Sequence, residues 1–374
     1  MNTPRYEYSR STIEKTIKLL LGLSLPYGLG VRYAIKANPH PEIIKIMNDR
    51  GVHFDASSSY EAEELLNQGI AGNKISLSSQ QSPHNLEVLL NAGVLFTATS
   101  INQLKLFLNC ANRPNVVGVR INPAFGAGHN NRTSTGGTNA SFGIWHEYID
   151  EVLALAKAKQ VTINKLHIHI GSGTDPSLWQ EVMERSLSIV EKLPDVVTLD
   201  IGGGYKVHRY GDEKEADMVE IVTMFGKQLE LFYEKTGRKI SLEIEPGTYL
   251  IAHAGTLVVS IDDIVDTGSD GYTFLRLNTG MNDFLRATLY GSRHIIEVMN
   301  GSTTTKDYVV VGHNCESGDI LSPGAGNPEE IETRTLKEAK IGDEVRIYDT
   351  GAYCASMRAK GYNSFPDAIE VMVD

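Results

Sequence analysis

Lys36 is the first residue in the chain whose type and position suggest covalent chemistry. It lies in an apolar, β-branched run at residues 31–37, and Pro39 follows soon after. Proline cannot donate to a sheet and pushes the preceding residue out of the helical region, so we expect the strand to end there. A lysine at such a position either reaches solvent through its flexible stem or, with its pKa lowered by desolvation, forms a Schiff base.

Three further groups stand at the ends of later apolar runs. Gly202, Gly203 and Gly204 directly follow a run at 197–201, and glycine lets backbone N–H groups approach a phosphate closely, although a triplet also suits a tight turn. Glu245 ends the run at 240–245. A carboxylate there is either solvated or set against a ring nitrogen, which it would keep protonated.

His169 alternates with His167, so both side chains are expected on one face of a strand. Two histidines can bind a metal, but no third ligand follows at a suitable spacing, and we predict no metal site. A planar imidazole also suits stacking on a flat cofactor.

Together, a Schiff-base lysine, a phosphate-binding turn, a stacking ring and a carboxylate for a ring nitrogen are what pyridoxal 5′-phosphate (PLP) requires. The sequence therefore predicts PLP as the cofactor. The glycine triplet is not the GxGxxG fingerprint of nicotinamide-binding proteins, and no acidic residue follows a first strand at the expected spacing.

The elements that must position these groups alternate regularly. Eight short apolar runs are separated by amphipathic segments such as 41–50, 59–68, 85–92 and 147–159, and the runs span residues 31–37, 52–56, 74–78, 95–99, 116–122, 165–170, 197–201 and 240–245. This pattern predicts a (β/α)8 TIM barrel, with a doubly wound open sheet as the alternative. In such a barrel, the carboxyl ends of the strands form the active site, and here they carry Lys36, Asp55, Ser57, Ser78, Thr99, Asn122, His169, Ser172, 202–204 and Glu245.

Two regions depart from this alternation. Residues 124–143 are rich in Gly, Asn and Thr and are expected to form a long loop. After about residue 250 the runs at 255–266, 272–277, 294–298, 307–311 and 344–348 predict a C-terminal antiparallel β-sandwich or β-barrel domain. We therefore expect a PLP-binding barrel at 22–250 and a β domain at 251–374 that includes residues 1–21.

Composition narrows the class of protein. The chain has 374 residues, of which 41% are hydrophobic, and a formal net charge of −11. The negative charge argues against nucleic acid or an anionic membrane as a partner. The polar start of the chain lacks a signal peptide, and three cysteines without a CxxC spacing fit a reducing compartment, so we expect a cytoplasmic protein.

Six ordered motifs resemble those of the fold-type III PLP-dependent decarboxylases, above all the diaminopimelate decarboxylases, with ornithine and arginine decarboxylases as more distant relatives. They are YAIKAN at 33–38, HIGS at 169–172, GGG at 202–204, EPG at 245–247, CESGD at 315–319 and GAY at 351–353. The resemblance covers nearly the whole chain.

The resemblance implies a role for each matching residue. Lys36 would bind PLP covalently, His169 would stack on its ring, and Glu245 would pair with the ring nitrogen. The other cofactor contacts would be Ser172, Gly203, Gly204 and Tyr353, and we add Asp55 and Gly247. Cys315 would protonate Cα, and the substrate would contact Arg286, Tyr290, Glu316 and Tyr353. The family also implies a homodimer in which Cys315, Glu316 and Tyr353 reach the partner's Lys36.

The chain departs from the family pattern where the substrate is recognised. The arginine that usually follows EPG is Thr248, and the usual RPALY is RATLY at 286–290. Decarboxylation of meso-diaminopimelate to L-lysine is the predicted reaction. A decarboxylase of another amino acid in a siderophore, polyamine or other specialised pathway is the main alternative, followed by a PLP racemase and a non-catalytic or regulatory homologue.

Overall fold

The computed structural model describes residues 3–126 and 135–374. The chain forms two compact units. The barrel unit comprises residues 17–206 and 214–247, and the sheet unit comprises residues 1–16, 207–213 and 248–374. The domain limits expected from the sequence are 22–250 for the barrel and 251–374, with 1–21, for the β domain. These limits stay a prediction.

Strand β1 (Arg5–Ser9) and helix α1 (Arg10–Leu21) open the described chain. The strands of the barrel unit then follow, and they are β2 (Leu29–Ala34), β3 (His53–Ala56), β4 (Ile75–Leu77), β5 (Leu95–Ala98), β6 (Val116–Asn122), β7 (Ile144–Trp145), β8 (Thr162–His167), β9 (Thr198–Asp200) and β10 (Ser241–Ile244).

These strands close into a parallel barrel. The hydrogen-bonded order is β5-β4-β3-β2-β10-β9-β8-β6, and pairing of β5 with β6 completes the ring of eight, while the short β7 pairs only with β6. All of the pairings in the ring are parallel. The predicted (β/α)8 barrel is confirmed, and a doubly wound open sheet is wrong.

Helices join successive barrel strands, and they are α2 (Pro41–Asp49), α3 (Ser59–Asn67), α4 (Leu86–Asn91), α5 (Ile101–Asn109), α6 (Ile149–Ala158), α7 (Pro176–Lys192) and α8 (Met218–Thr236). Their starts follow local chemistry. Ser58 and Ser100 accept backbone hydrogen bonds at the starts of α3 and α5, and Asp217 does so at α8. Short 3-10 turns occupy Ile35–Ala37, Gly72–Lys74, His146–Tyr148, Ala252–Ala254, Ala355–Met357 and Tyr362–Ser364.

The sheet unit is built mainly from the C-terminal part of the chain. It contains the short helices α9 (Thr248–Ile251) and α10 (Leu285–Tyr290) and the strands β11 (Gly255–Asp266), β12 (Thr273–Leu277), β13 (Ile296–Met299), β14 (Thr305–Val311), β15 (Pro323–Gly324), β16 (Asn327–Ile331), β17 (Arg334–Lys337), β18 (Glu344–Tyr348) and β19 (Ile369–Val373). The main sheet runs β13-β18-β11-β12-β14-β17, and β1 pairs with β11 and β19. Its pairs are antiparallel except β12–β14 and β1–β19. The predicted antiparallel β domain is therefore confirmed.

The differences from the sequence expectations lie at element ends and in short strands. Six short strands fall outside the predicted runs, because short strands carry little periodicity of their own, and they are β1, β7, β15, β16, β17 and β19. Part of the expected loop at 124–143 lies outside the described residues. Within the described ranges, no helix has both the length and the apolar character needed to cross a membrane.

Candidate active site

Lys36 follows the first barrel strand rather than ending it. Strand β2 stops at Ala34, and Lys36 sits in the 3-10 turn Ile35–Ala37. Its Nζ donates to Ser57 Oγ at 2.8 Å and lies 3.7 Å from Asp55 Oδ2, at the end of the neighbouring strand β3. The side chain is 44% exposed, so the desolvation expected for this lysine is absent, and its amine is accessible to a ligand.

A tight backbone cradle forms where Gly202, Gly203 and Gly204 meet the loop after β8. Gly173 N–H donates to Gly204 O at 3.0 Å, which brings Ser172 beside the triplet. A Cβ on Gly204 would lie 1.9 Å from Gly171 O, and one on Gly203 would lie 2.2 Å from Glu245 O. Side chains are therefore excluded there, and the turn suits an anion held by backbone and a hydroxyl.

His169 lies against the start of this turn. A Cβ on Gly202 would be 2.5 Å from His169 Nδ1, so the glycine makes room for the ring. Burial, with the charges of Arg120 and Lys36, keeps the pKa of His169 well below its usual value. The imidazole is neutral at pH 7, as suits stacking on a flat ring. Strand β8 ends at His167, three residues before the end of the predicted run 165–170, so His169 lies just after the strand.

Glu245 follows β10 and is buried. Its Oε1 has no hydrogen-bond partner in the described part of the chain, and its Oε2 lies 3.5 Å from His167 Nε2. Burial, with the carboxylates of Asp200 and Asp55, raises the pKa of Glu245 well above its usual value. This shift favours the protonated form of the carboxyl, and a cationic ring nitrogen beside Oε1 would oppose the shift. Gly247, also buried, follows in the same chain segment.

Beneath these groups lies a buried ion network that sequence reasoning missed. Lys165 Nζ lies 2.7 Å from Asp200 Oδ2 and 2.6 Å from Glu243 Oε2, and Arg32 lies 2.7 Å from Glu243 Oε1. Burial opposes ionisation of both acids. The Lys165 ammonium and the hydrogen bonds to each acid together outweigh burial, so the pKa values of Asp200 and Glu243 lie below their usual range. A sequence signal existed, since each of these charges interrupts an apolar strand.

A metal ion is the other ligand that this region could hold. Ligand atoms of His167, Asp200 and Glu245 all lie within 4.8 Å of one another. Lys165 already supplies a positive charge to Asp200. The prediction that the protein needs no metal stays a prediction.

The remaining predicted residues belong to the sheet unit. Arg286 lies on α10, with its Cζ 5.7 Å from the centroid of the Tyr290 ring. Cys315 is an exposed free thiol, and its backbone N–H donates to Asn363 Oδ1 at 2.7 Å.

Glu316 and Tyr353 are also held in place locally. Hydrogen bonds from Gly318 N–H and from the Tyr362 hydroxyl, each 3.2 Å long, keep the pKa of Glu316 below its usual value. Tyr353 has a φ of 56°, a left-handed conformation that is strained for a tyrosine.

The barrel residues fit PLP as a set. They combine an accessible amine at Lys36, a side-chain-free cradle at 202–204 and a buried carboxyl at Glu245 whose Oε1 has no hydrogen-bond partner among the described residues. These features match the aldehyde, the phosphate and the ring nitrogen of PLP.

Comparison with known proteins agrees with this geometry. A family model described as "Pyridoxal-dependent decarboxylase, pyridoxal binding domain" matches residues 11–252, and one described as "Pyridoxal-dependent decarboxylase, C-terminal sheet domain" matches residues 248–351. The first covers more than half of the chain. The chain therefore belongs to the pyridoxal-dependent decarboxylases, and the predictions of a PLP cofactor and an amino-acid decarboxylase are confirmed.

Within this family, the chain is similar to diaminopimelate decarboxylases. It is 32% identical to that of Streptomyces coelicolor over all of this chain and 84% of the relative, and 30% identical to that of Escherichia coli strain K12 over 99% and 89%. A crystal structure of diaminopimelate decarboxylase superposes with a TM-score of 0.90 at 30% identity, covering 99% of this chain and 88% of that one. The Helicobacter pylori enzyme complexed with L-lysine gives 0.87 at 26%, covering 100% and 92%.

Proposed function

We propose that this protein decarboxylates meso-diaminopimelate to L-lysine. The observation that carries the proposal is the arrangement of Lys36, the 202–204 cradle and Glu245 at the carboxyl ends of the barrel strands. The full-length similarity to diaminopimelate decarboxylases supports the choice of substrate.

When bound, PLP supplies an aldehyde that bonds to the substrate's α-amine and a ring that takes up the electron pair left at Cα as CO2 departs. Lys36 would hold the aldehyde between turnovers, with its amine oriented by Ser57 and Asp55. The phosphate would be held by Ser172, Gly203, Gly204, Gly247 and Tyr353. Glu245 would face the ring nitrogen, and His169, kept neutral by burial, would lie against the ring face.

Residues of the sheet unit act on the far end of the substrate. Arg286 binds the distal carboxylate beside Tyr290, and the ionised Glu316 binds the distal ammonium, both through charge-assisted hydrogen bonds. Cys315, whose thiol is exposed, donates the proton that Cα requires once CO2 has left.

The assembly is proposed to be a homodimer in the cytoplasm. Cys315 and Glu316 are exposed on this chain, as suits residues that complete the site around Lys36 of a second copy. The three cysteines are all free, which fits a reducing compartment.

The test is to incubate the PLP-loaded protein with meso-diaminopimelate and to measure CO2 and L-lysine by mass spectrometry. We expect lysine from the wild type and a loss of about 10³-fold or more in Lys36→Ala, because the covalent anchor is removed. Lys105→Ala, which removes an exposed lysine of α5, should retain full activity. Undiminished CO2 release by Lys36→Ala would exclude the assigned role.

A second candidate is decarboxylation of a different amino acid, or of a conjugate, that carries a distal charged group. Thr248 favours it, because an uncharged side chain stands where the family resemblance implies an arginine. Lysine, ornithine, arginine and carboxylated conjugates belong in the same assay. Turnover of one of these without turnover of diaminopimelate supports this candidate.

A further inference from the structure

Arg209, in segment 207–213 of the sheet unit, is a buried arginine that is 6% exposed. Two of its three guanidinium nitrogens, Nε and Nη2, are buried and donate no hydrogen bond within residues 3–126 and 135–374. A buried charged group whose N–H groups make no hydrogen bond lowers the stability of the fold. The position therefore indicates a ligand rather than a structural role.

A second guanidinium lies close to the first. Arg286, on α10, also has a buried Nε without a hydrogen-bond partner in the described chain. Burial, with the positive charge of Arg286, lowers the pKa of Arg209 to about 9. Arg209 thus stays charged at neutral pH, and Arg286 is near enough to disfavour that charge.

The neighbouring acids do not outweigh burial and Arg286. Asp349 and Glu213 raise the pKa of Arg209, but its net shift is downward. Burial raises the pKa of the Cys354 thiol to about 11, so the thiol is neutral. Burial, with the charges of Arg209 and Arg286, keeps the pKa of His294 well below its usual value, and its Nδ1 donates to Tyr348 O at 2.7 Å. Asp349 is engaged by His253 at 2.6 Å.

The free nitrogens of Arg209 define the kind of ligand. Nε and Nη2 form one edge of the guanidinium plane, and two parallel N–H groups on such an edge match the two oxygens of a carboxylate. A lysine at this position would offer a point charge without that edge.

The segment that carries Arg209 is fixed on both sides. The Tyr210 ring lies between the guanidinium groups of Arg293 and Arg334, whose Cζ atoms are 5.0 and 4.5 Å from its centroid. Arg209 N–H donates to Glu213 Oε2 at 3.2 Å. These contacts hold the backbone of the segment that carries Arg209.

We propose that Arg209 is a substrate-binding residue that receives a carboxylate edge-on, next to Arg286, and thereby selects amino acids with a carboxylate at the end remote from the reacting carbon. The role of Arg209 in substrate selection rests on the proposed function. The binding of a carboxylate by Arg209 does not. Its ligand class is a small dicarboxylic acid.

The test uses full-length PLP-loaded protein and three variants. Arg209→Met should raise KM for meso-diaminopimelate by about 10- to 100-fold with kcat changed less than about threefold, the loss expected for charge-assisted hydrogen bonds. Arg209→Lys should recover only part of this affinity, because it keeps the charge and lacks the edge. Arg276→Met removes one cation from strand β12 of the same unit and should leave KM unchanged.

A binding experiment keeps the inference independent of catalysis and of variant folding. Pimelate, a dicarboxylate without amines, should slow hydrogen–deuterium exchange in wild-type peptides covering 207–213, and cadaverine, a diamine, should not. Lack of protection by pimelate, or a wild-type KM in folded Arg209→Met, would overturn the inference. If pimelate protects 207–213 but diaminopimelate is not decarboxylated, the proposed reaction fails while the anion site stands.

Discussion

Two buried cations, Lys165 in the barrel unit and Arg209 in the sheet unit, have opposite surroundings. In the barrel unit, Lys165 contacts two carboxylates, and these outweigh burial so that the pKa of Lys165 is raised. In the sheet unit, burial and a neighbouring cation lower the pKa of Arg209 to about 9. A compensated charge can stabilise a fold, whereas an uncompensated one is retained at a cost in stability that a ligand can offset. The first arrangement is therefore structural, and the second is a binding site.

The largest expected effect comes from breaking the compensated network. Lys165→Met leaves Asp200 and Glu243 buried without the ammonium between them, and we expect a loss of about 3–5 kcal/mol in the free energy of unfolding. Both tryptophans, Trp145 and Trp179, lie in the barrel unit, so their fluorescence during urea unfolding reports on this unit. A loss below about 1 kcal/mol, typical of surface ion pairs, would contradict the comparison.

Arg209→Met is expected to raise the free energy of unfolding, whereas Lys165→Met lowers it. Removing an uncompensated buried charge while keeping a similar side-chain volume should raise the free energy of unfolding of the ligand-free sheet unit by about 1–2 kcal/mol. Slower hydrogen–deuterium exchange in the strands Gly255–Asp266 and Glu344–Tyr348 would report the gain. Faster exchange there would show instead that Arg209 supports the fold.

The pH dependence of stability tests whether the cations of the sheet unit keep His294 neutral. Its pKa in the folded protein is lowered by burial first and by Arg209 and Arg286 second. Above about pH 6.5 both the folded and unfolded states are neutral at this residue, and below it only the unfolded state binds the proton. The wild type should therefore lose up to about 1.4 kcal/mol per pH unit relative to His294→Asn as the pH falls.

Arg209→Met should reduce that difference, because it removes one of the two cations that disfavour the imidazolium. Urea titrations at several pH values, followed by far-ultraviolet circular dichroism, measure both slopes. Parallel curves for the wild type and His294→Asn would mean that His294 is not held neutral.

The smallest effect is expected at an exposed ion pair. Lys45 and Asp49 lie one turn apart on α2 with an Nζ–Oδ2 distance of 2.8 Å. Because water screens this pair, Lys45→Ala should change the free energy of unfolding by no more than about 0.5 kcal/mol. A urea titration followed by tryptophan fluorescence measures this change. If Lys45→Ala destabilised the protein as much as Lys165→Met, burial would not explain why the two ion pairs differ.

The barrel and most of its site residues could be predicted from the amino-acid sequence. The eight barrel strands, including His53–Ala56 and Val116–Asn122, fall on the predicted runs because a strand buried on both faces needs a continuous apolar segment. Lys36, His169 and Glu245 could be placed at one rim because parallel strands must end together in a barrel.

The short strands of the sheet unit and the partners of the buried charges are apparent only from the tertiary structure. Strand β19 pairs with β1 across nearly the whole chain length, and local sequence carries no trace of such a partner. The sequence marked Thr248 as uncharged where the resemblance implies an arginine, but Arg209 stands in an irregular segment with no periodicity. Its burial, its unpaired edge and its closeness to Arg286 arise only when distant segments pack together.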